Sequence, residues 1–200
     1  MKLHALLLSI PLFTLGALAQ VASGAEAFSV NSPDLKNGKF NNKFVAKGFG
    51  CNGDNMSPEI AWRNPPAGTR SFALVMHDPD APTSIGGFTH WLVVNIPASA
   101  KGLAQGDGTG QLPHSAKGVA NGFDNTGVTG TNGNYGGPCP PQGDKPHRYV
   151  FTLYALGVED IHAAAGIPPN ASAQVHGFVL NKGIGKGLLG KASFTARYGR

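Results

Sequence analysis

The fold is decided by the segment Thr89 to Ile96, which reads THWLVVNI, and by two segments of the same kind. These are Ser71 to His77 (SFALVMH) and Arg148 to Leu156 (RYVFTLYAL). β-Branched and aromatic residues dominate all three segments, and Pro, Gly or Asp bounds them, which is the pattern of β-strands. We therefore expect the three segments to be central strands.

Weaker patterns predict shorter elements around these segments. Strands are expected at Glu59 to Trp62 and at Ala192 to Tyr198, and short edge strands between Phe28 and Phe49. Gly, Asn, Asp, Thr and Pro dominate Pro97 to His147, which predicts loops throughout that stretch.

Two short helices are predicted near the end of the sequence. The first covers Val158 to Ala165, with Glu159 and Asp160 in its first turn. The second covers Ser172 to Lys182, with the Ser172 side chain as a candidate cap.

The composition indicates one mainly β domain. The chain has 200 residues, of which 41% are hydrophobic and 14% charged, with 29 Gly and 15 Pro. Residues that favour exposed helices are scarce, which argues against a helical bundle, and no collagen or coiled-coil repeat is present. The formal net charge of +5 is spread over single Lys and Arg residues, so no nucleic-acid partner is expected.

The first 19 residues have the features of a secretory signal peptide. Lys2 precedes an apolar run from Ala5 to Leu18, which ends in the small-x-small sequence Ala17-Leu18-Ala19. The run is shorter than the roughly 20 apolar residues that cross a bilayer, although an N-terminal core helix is an alternative. We predict that 1–19 is removed, that 20–200 is a single exported domain, periplasmic or secreted, and that the mature chain has no transmembrane segment.

Two cysteines, Cys51 and Cys139, remain in a chain predicted to reach an oxidising compartment. One disulfide between them is the simplest pairing, and two free thiols are the alternative.

The stretch Gly185–Lys191 (GKGLLGK) matches two nucleotide-binding patterns. A phosphate loop requires Ser or Thr where Ala192 stands, and the dinucleotide pattern requires a βαβ unit, whereas only ten residues follow Gly190. We interpret the stretch as a basic turn and expect no cofactor.

Polar side chains stand at the ends of the three predicted central strands. The first strand leads into Asp78–Pro82 (DPDAP), where two prolines hold a turn with two carboxylates. His90 begins the second strand and His147 the third, with Tyr149 on the same face as His147. Each group alone also suits an ordinary structural role, an Asx turn or a hydrogen-bonded core histidine. Together they predict a convergent site.

Five blocks occur in this order: Asn55–Trp62 (NMSPEIAW), Asp78–Pro82 (DPDAP), Gly87–Pro97 (GFTHWLVVNIP), Tyr135–Gly143 (YGGPCPPQG) and His147–Tyr149 (HRY). With this order and spacing, the chain closely resembles the phosphatidylethanolamine-binding protein family, also called the Raf-kinase-inhibitor-like family, in its bacterial branch. The likeness spans about Phe28 to Gly199.

The resemblance implies a mainly β fold, in which a large central antiparallel sheet packs on a smaller sheet with a few peripheral short helices. It also implies a small pocket for phosphate, acetate or the phosphoryl head of a lipid. Carried over by motif, the ligand-binding residues are Asp78, Asp80, His90, Gly137, Pro138, Pro140, His147 and Tyr149.

Two positions differ from animal members of the family. Thr89 stands where those members usually show a second His beside the one that matches His90, and Cys139 follows the bacterial pattern. The expected ligand preference therefore differs from that of animal members, and kinase inhibition does not carry over to an exported protein. Backbone amides around Gly136 and Gly137 are further candidate donors to an anion.

These observations predict a binding protein for small anions or phosphorylated lipid headgroups, with no catalytic residue, cofactor or metal. We expect Asp78 or Asp80 to hold a histidine in its donor form or to raise its pKa, so that anion binding weakens as pH rises. A bare anion should bind near millimolar Kd, or about −4 kcal/mol. One alternative is an inhibitor or regulator of a partner protein such as a serine protease. Another is a hydrolase that uses His90 and His147 as acid and base, or His and Asp on a metal.

Overall fold

The computed structural model describes residues 26–84, 86–113, 116–120 and 135–200. The strands in these ranges are, in chain order, β1 Ser29–Asn31, β2 Lys47–Gly48, β3 Cys51–Asn52, β4 Ile60–Arg63, β5 Ser71–Asp78, β6 Phe88–Pro97, β7 Gly102–Leu103, β8 Lys117–Gly118, β9 His147–Leu156 and β10 Leu188–Tyr198. The predicted signal peptide, 1–19, lies outside the described residues.

The three most strand-like segments of the sequence lie in the middle of one antiparallel sheet. Its strand order is β10-β9-β5-β6-β8, so the prediction that β5, β6 and β9 are central is confirmed. A smaller antiparallel sheet has the order β1-β4-β7, and β2 pairs with β3. The predicted mainly β class, with a large antiparallel sheet beside a smaller one, is confirmed.

Both faces of the large sheet are packed, because successive residues of a strand point to opposite sides. One side faces the small sheet, in a hydrophobic cluster that includes Phe72, Leu74, Phe151, Ile60 and Trp62. The other side faces the helical segment, in a cluster that includes Leu92, Val94, Leu156, Ile161 and Leu180. We refer to these as the small-sheet side and the helix side.

The helical segment follows β9. It consists of α1 Ile161–Ala165, α2 Ala173–Phe178, a π-helical turn Val179–Gly183 and a 3-10 turn Gly185–Gly187, and two further 3-10 turns lie at Lys36–Gly38 and Asn42–Phe44. The Ser172 hydroxyl accepts the N–H of Val175, so the predicted cap of the second helix is confirmed.

The first helix begins later than predicted. Asp160 caps it, since its side chain accepts the N–H of His162, and Glu159 lies outside it and pairs with Arg70 at 2.7 Å. Gly166, at φ 65°, ends the helix in the left-handed conformation that glycine adopts easily.

Two other predictions were wrong in part. The stretch Pro97 to His147 contains the two-residue strands β7 and β8, which extend the small and the large sheet, respectively. In Gly185–Lys191 only Gly185–Gly187 forms a turn, and the remainder begins β10, where it pairs with β9. A strand, and not the helix that a phosphate loop requires, therefore follows these glycines.

The helices in the described ranges are all too short, or too polar, to span a lipid bilayer.

Candidate ligand-binding site

A β-bulge turns His90 toward the small-sheet side of the large sheet. Met76 pairs with Trp91, but the next residue along β5, His77, pairs with Thr89, so β6 holds one extra residue at His90. Strict alternation would put His90 on the side opposite Trp91. The bulge instead lets both side chains face the small-sheet side, as bulges often do beside functional sites.

Beside His90 lies a cavity of about 200 Å³, which we call the polar cavity. Its lining residues are Asp78, Ala81, Pro82, Thr83, Phe88, His90, Cys139, Pro140, Pro141, His147 and Tyr149. Five of the eight residues implied by the resemblance are thus brought together: Asp78, His90, Pro140, His147 and Tyr149.

Asp78 connects the parts of the polar cavity. Its Oδ1 accepts the N–H groups of Asp80 at 2.8 Å and Ala81 at 3.1 Å, which fixes the turn after β5. Its Oδ2 lies 2.7 Å from His147 Nδ1 and 3.9 Å from His90 Nε2. The hypothesis that Asp78 or Asp80 holds a histidine therefore applies to Asp78.

His147 is held between two carboxylates. Its Nδ1 lies 2.7 Å from Asp78 Oδ2 and its Nε2 lies 3.3 Å from Asp144 Oδ2. Burial alone would lower the pKa of His147, but the hydrogen bonds and charges of Asp78 and Asp144 outweigh it and raise the pKa above its ordinary value. The protonated ring satisfies both carboxylates at once.

The pKa of His90 is shifted in the opposite direction. Its ring is buried, and burial lowers its pKa to about 4, although the hydrogen bond to Gly136 and the charge of Asp78 act in the other direction. Its Nδ1 lies 2.9 Å from the carbonyl oxygen of Gly136. A carbonyl only accepts, so Nδ1 carries the hydrogen and the neutral ring turns an unprotonated Nε2 toward Asp78.

Tyr149 supplies a buried hydroxyl. Within the described ranges it is the one fully buried side-chain polar atom without a hydrogen-bond partner. Burial raises the pKa of Tyr149, and the negative charge of the neighbouring Asp78 carboxylate and its interaction with the hydroxyl raise the pKa further. The hydroxyl therefore keeps its proton and remains a donor at neutral pH.

Asp80 does not line the polar cavity. It accepts both Nε and Nη2 of Arg148, at 2.9 and 2.6 Å, and the backbone N–H of Arg148 at 2.8 Å. These hydrogen bonds lower the pKa of Asp80. Asp80 thus holds the start of β9 in place and lines a neighbouring cavity together with Asp144 and His147.

Gly137 and Pro138 also lie outside the lining. The N–H of Gly137 donates to Asn55 Oδ1 at 2.8 Å, and the carbonyl of Pro138 accepts from Ala46 N–H at 3.2 Å. The N–H of Gly136 donates to the carbonyl of His90 at 2.8 Å. In this structure the Gly136 and Gly137 amides are thus bonded within the protein, and the expectation that loop amides bind an anion stays a prediction.

A disulfide and one arginine fasten the Pro-rich loop that forms one wall of the polar cavity. Cys51 and Cys139 are bonded, which settles the pairing that the sequence left open. Arg200 Nε donates to the carbonyl of Pro140 at 2.7 Å, and its Nη1 to the carbonyl of Gly50 at 2.8 Å. The loop is thus joined to β3 covalently and by hydrogen bonds.

Sequence reasoning missed several residues of the site. Thr83, Phe88 and Pro141 line the polar cavity, and Phe88 packs edge-on against the His90 ring at 5.0 Å between centroids. Phe88 and Pro141 lie inside the sequence blocks that carry the family resemblance, so their position in these blocks could have identified them as site residues. In the described part of the chain, no three His, Cys, Asp or Glu side chains are grouped as metal ligands would be.

A sequence model of the family described as phosphatidylethanolamine-binding protein matches residues 32–199. The chain is similar to YbcL of Escherichia coli, at 41% identity over 173 residues, covering 84% of this chain and 87% of the relative. It is similar to YbhB of the same species, at 42% identity over 168 residues, covering 84% and 97%. LppC of Mycobacterium tuberculosis, named as a lipoprotein, is 36% identical over 155 residues, covering 76% and 62%.

The fold is also similar to a solved structure. The crystal structure of E. coli YbcL, described as a new member of the mammalian PEBP family, superposes with a TM-score of 0.72 and 38% sequence identity. The match covers 86% of this chain and 98% of the YbcL chain.

Proposed function

Because this chain belongs to the phosphatidylethanolamine-binding protein family, we propose that its polar cavity binds a small phosphate-like anion. The shared chemistry is a tetrahedral oxyanion, either inorganic phosphate or the phosphoryl head of a lipid. The cavity of about 200 Å³ is smaller than typical sites for small organic molecules, about 300–1,000 Å³, so it suits a head group and not a whole lipid.

The Tyr149 hydroxyl is the observation that carries this proposal. A buried hydroxyl without a partner costs free energy, since it has lost its hydrogen bonds to water. The Tyr149 hydroxyl is such a group within the described ranges, and it faces a cavity. A ligand oxygen that accepts its hydrogen would remove that cost.

A proton must accompany the anion. Asp78 is negative, and both ring nitrogens of His147 are already held by carboxylates. A bare anion in this cavity is therefore stabilised only when His90 is protonated or when the anion itself carries a hydrogen. Since burial keeps the pKa of free His90 at about 4, binding at neutral pH takes up a proton and is weak.

Titration calorimetry with inorganic phosphate between about pH 5 and 8 tests the proposal. We expect millimolar affinity at the acidic end and at least about tenfold weaker binding at pH 8. Sulfate carries no proton in this range, so a pH dependence of sulfate binding reports a proton on the protein. Tyr149→Phe should weaken binding about five- to tenfold.

The matched control is Tyr135→Phe. Tyr135 is also a fully buried tyrosine, but it lies outside the lining of the polar cavity and its hydroxyl donates to the carbonyl of Phe44. Equal phosphate affinity in wild type and Tyr149→Phe would overturn the proposal. A pH-independent affinity would show that phosphate binding takes up no proton.

We also propose that the protein is exported. The disulfide between Cys51 and Cys139 and the similarity to a relative named as a lipoprotein support an oxidising location. Intact mass of the protein purified from its own cells should show the loss of 1–19.

A further inference from the structure

Two buried histidines lie against each other in the helical segment, on the side of the large sheet opposite the polar cavity. His162 belongs to α1 and His176 to α2, and both side chains are buried. Their Nε2 atoms lie 3.1 Å apart, which is a hydrogen-bond distance. We call these two residues the histidine pair. It connects α1 directly to α2.

The histidine pair is important for α2 because that helix has few other attachments. Of its six residues, all within the described ranges, Ala173 and His176 are the two that are buried, and the others are exposed or half-buried. A helix of six residues is not stable alone in water, so its conformation depends on packing. His176 is therefore the one large side chain by which α2 itself is anchored.

The hydrogen-bond partners fix the positions of the protons in the pair. His176 Nδ1 lies 3.0 Å from the carbonyl oxygen of Ser172, and a carbonyl only accepts, so this Nδ1 carries a hydrogen. The neutral His176 ring then has a bare Nε2, which accepts a hydrogen from His162 Nε2. His162 Nδ1 lies 3.3 Å from Asp160 Oδ1. A first added proton can therefore enter at His162 Nδ1, beside the carboxylate, without loss of the hydrogen bond between the rings.

A second added proton cannot enter without breaking the pair. It would have to bind His176 Nε2, and two N–H groups would then face each other at 3.1 Å with no acceptor between them. Two positively charged rings would also repel each other at this distance. Burial lowers the pKa of His176, and the charge of His162 lowers it further, against the hydrogen bond to Ser172. His176 is thus the ring that resists a proton.

Other titratable groups stand on the elements beside the pair. They are Glu159 before α1, His77 on β5, Tyr154 on β9, Lys182 and Lys186 in the turns after α2, and Lys191 on β10. Glu159 pairs with Arg70, and Tyr154 and Lys191 both contact the Asn181 side chain. Among the described residues, Asp160 is the one charged side chain that pairs with either ring.

We propose that the histidine pair is an acid-sensitive latch, which holds α2 against the sheet until a second proton enters the pair and releases the helix. This inference is independent of the proposed function. In the released state His176 binds a proton below about pH 6.5, whereas in the latched state it resists one. The latch is therefore complete above about pH 6.5 and weakens as pH falls, by up to about tenfold per pH unit in its opening equilibrium. Release uncovers Leu92, a buried residue that lines a cavity together with α2.

Hydrogen exchange followed by NMR at pH 7 and pH 4.5 tests the latch. The reporter is the N–H of Val179, which donates to the carbonyl of Val175 at the end of α2. After correction for the intrinsic exchange rate at each pH, its protection in wild type should fall at least about tenfold from pH 7 to pH 4.5. At pH 4.5 it should also lie below the protection of the β9 amides, because α2 opens while the sheet stays folded.

Two glutamine variants separate pairing from burial. A glutamine amide carries both a donor and an acceptor and does not titrate. In His176→Gln the pair takes up no second proton, so the fall in protection should stay below about threefold. In His162→Gln the new side-chain carbonyl can accept a hydrogen from protonated His176, so the fall should again stay below about threefold.

A double variant is the matched control for His176→Gln. Gln174→His combined with His176→Gln keeps one imidazole in α2 but moves it to an exposed position. It should behave like His176→Gln, because the moved ring no longer faces His162.

Three outcomes would overturn the latch. A fall below about threefold in wild type would show that acid does not release α2. Exchange of the Val179 amide together with the β9 amides at both pH values would show that α2 opens only when the whole protein unfolds. A full wild-type fall in His162→Gln would show that burial of His176 acts without the pair.

Discussion

On β9, Tyr149 faces the polar cavity, and the next residue, Val150, lies on the helix side of the sheet beside α2. The same alternation separates Asp78 from His77 on β5. One end of one sheet thus has a titratable side, where carboxylates and imidazoles meet. The side under α2 has no carboxylate, lysine or arginine among its described lining residues, and we call it the neutral side. The difference shows how strand geometry alone places two kinds of chemistry one residue apart.

The two sides should differ most in how much an alanine substitution lowers the free energy of unfolding. Asp78→Ala removes the acceptor of two turn amides and of His147, and it leaves a buried imidazole without its carboxylate. We expect the free energy of unfolding to fall by about 3–5 kcal/mol. His77→Ala, its neighbour on the neutral side, should cost less than about 1 kcal/mol. Urea unfolding at pH 7 measures the loss of unfolding free energy in both variants. Equal losses would mean that Asp78 contributes no more to stability than His77 does.

The next difference concerns pH. The pKa of His90 is lowered to about 4 in the folded state. Between about pH 4 and 6.5, His90 therefore stays neutral in the folded state but binds a proton in the unfolded chain. The stability from neutral His90 is therefore complete above about pH 6.5 and is lost as pH falls toward 4, up to about 3 kcal/mol. The raised pKa of His147 acts oppositely, since its contribution is present below about pH 6.5 and is lost as pH rises.

His90→Gln isolates the first of these effects. The difference in unfolding free energy between wild type and His90→Gln should shrink by about 3 kcal/mol from pH 7 to pH 4. A constant difference for His90→Gln would show that the ring is not buried in its neutral form.

The smallest expected difference is between the effects on stability of replacing two buried tyrosines by phenylalanine. Tyr135→Phe leaves the carbonyl of Phe44 without its hydrogen bond and should cost about 1–2 kcal/mol of unfolding free energy. Tyr149→Phe removes a hydroxyl without a partner in the described ranges and should leave stability unchanged or raise it by up to about 1 kcal/mol. A loss in Tyr149→Phe as large as that in Tyr135→Phe would reveal a hydrogen bond that the structure lacks.

Much of the fold could be predicted from residue patterns. The runs that became β5, β6 and β9 contain enough β-branched and aromatic residues to specify strands, and Pro, Gly or Asp marks their ends. Because antiparallel neighbours bring their ends together, polar residues at those ends indicated one site. Asp78, His90, His147 and Tyr149 do lie around one cavity.

The remaining features depend on contacts that local patterns do not encode. The bulge at His90 adds a single residue to a continuous strand pattern, and nothing in that pattern marks it. The Asp80 carboxylate is bonded to Arg148, 68 residues further along the chain, and the Gly137 N–H donates to Asn55, 82 residues earlier. Val75 and Val150, on the helix side of the sheet, are only half-buried because the short helix α2 does not cover the whole strand face.

A crystal structure of the protein grown with phosphate at about pH 5 would show whether the polar cavity binds an anion. We expect one phosphate in the polar cavity, with an oxygen within hydrogen-bond distance of the Tyr149 hydroxyl and beside His90. Phosphate bound only elsewhere, with the Tyr149 hydroxyl bonded to a protein group, would contradict it.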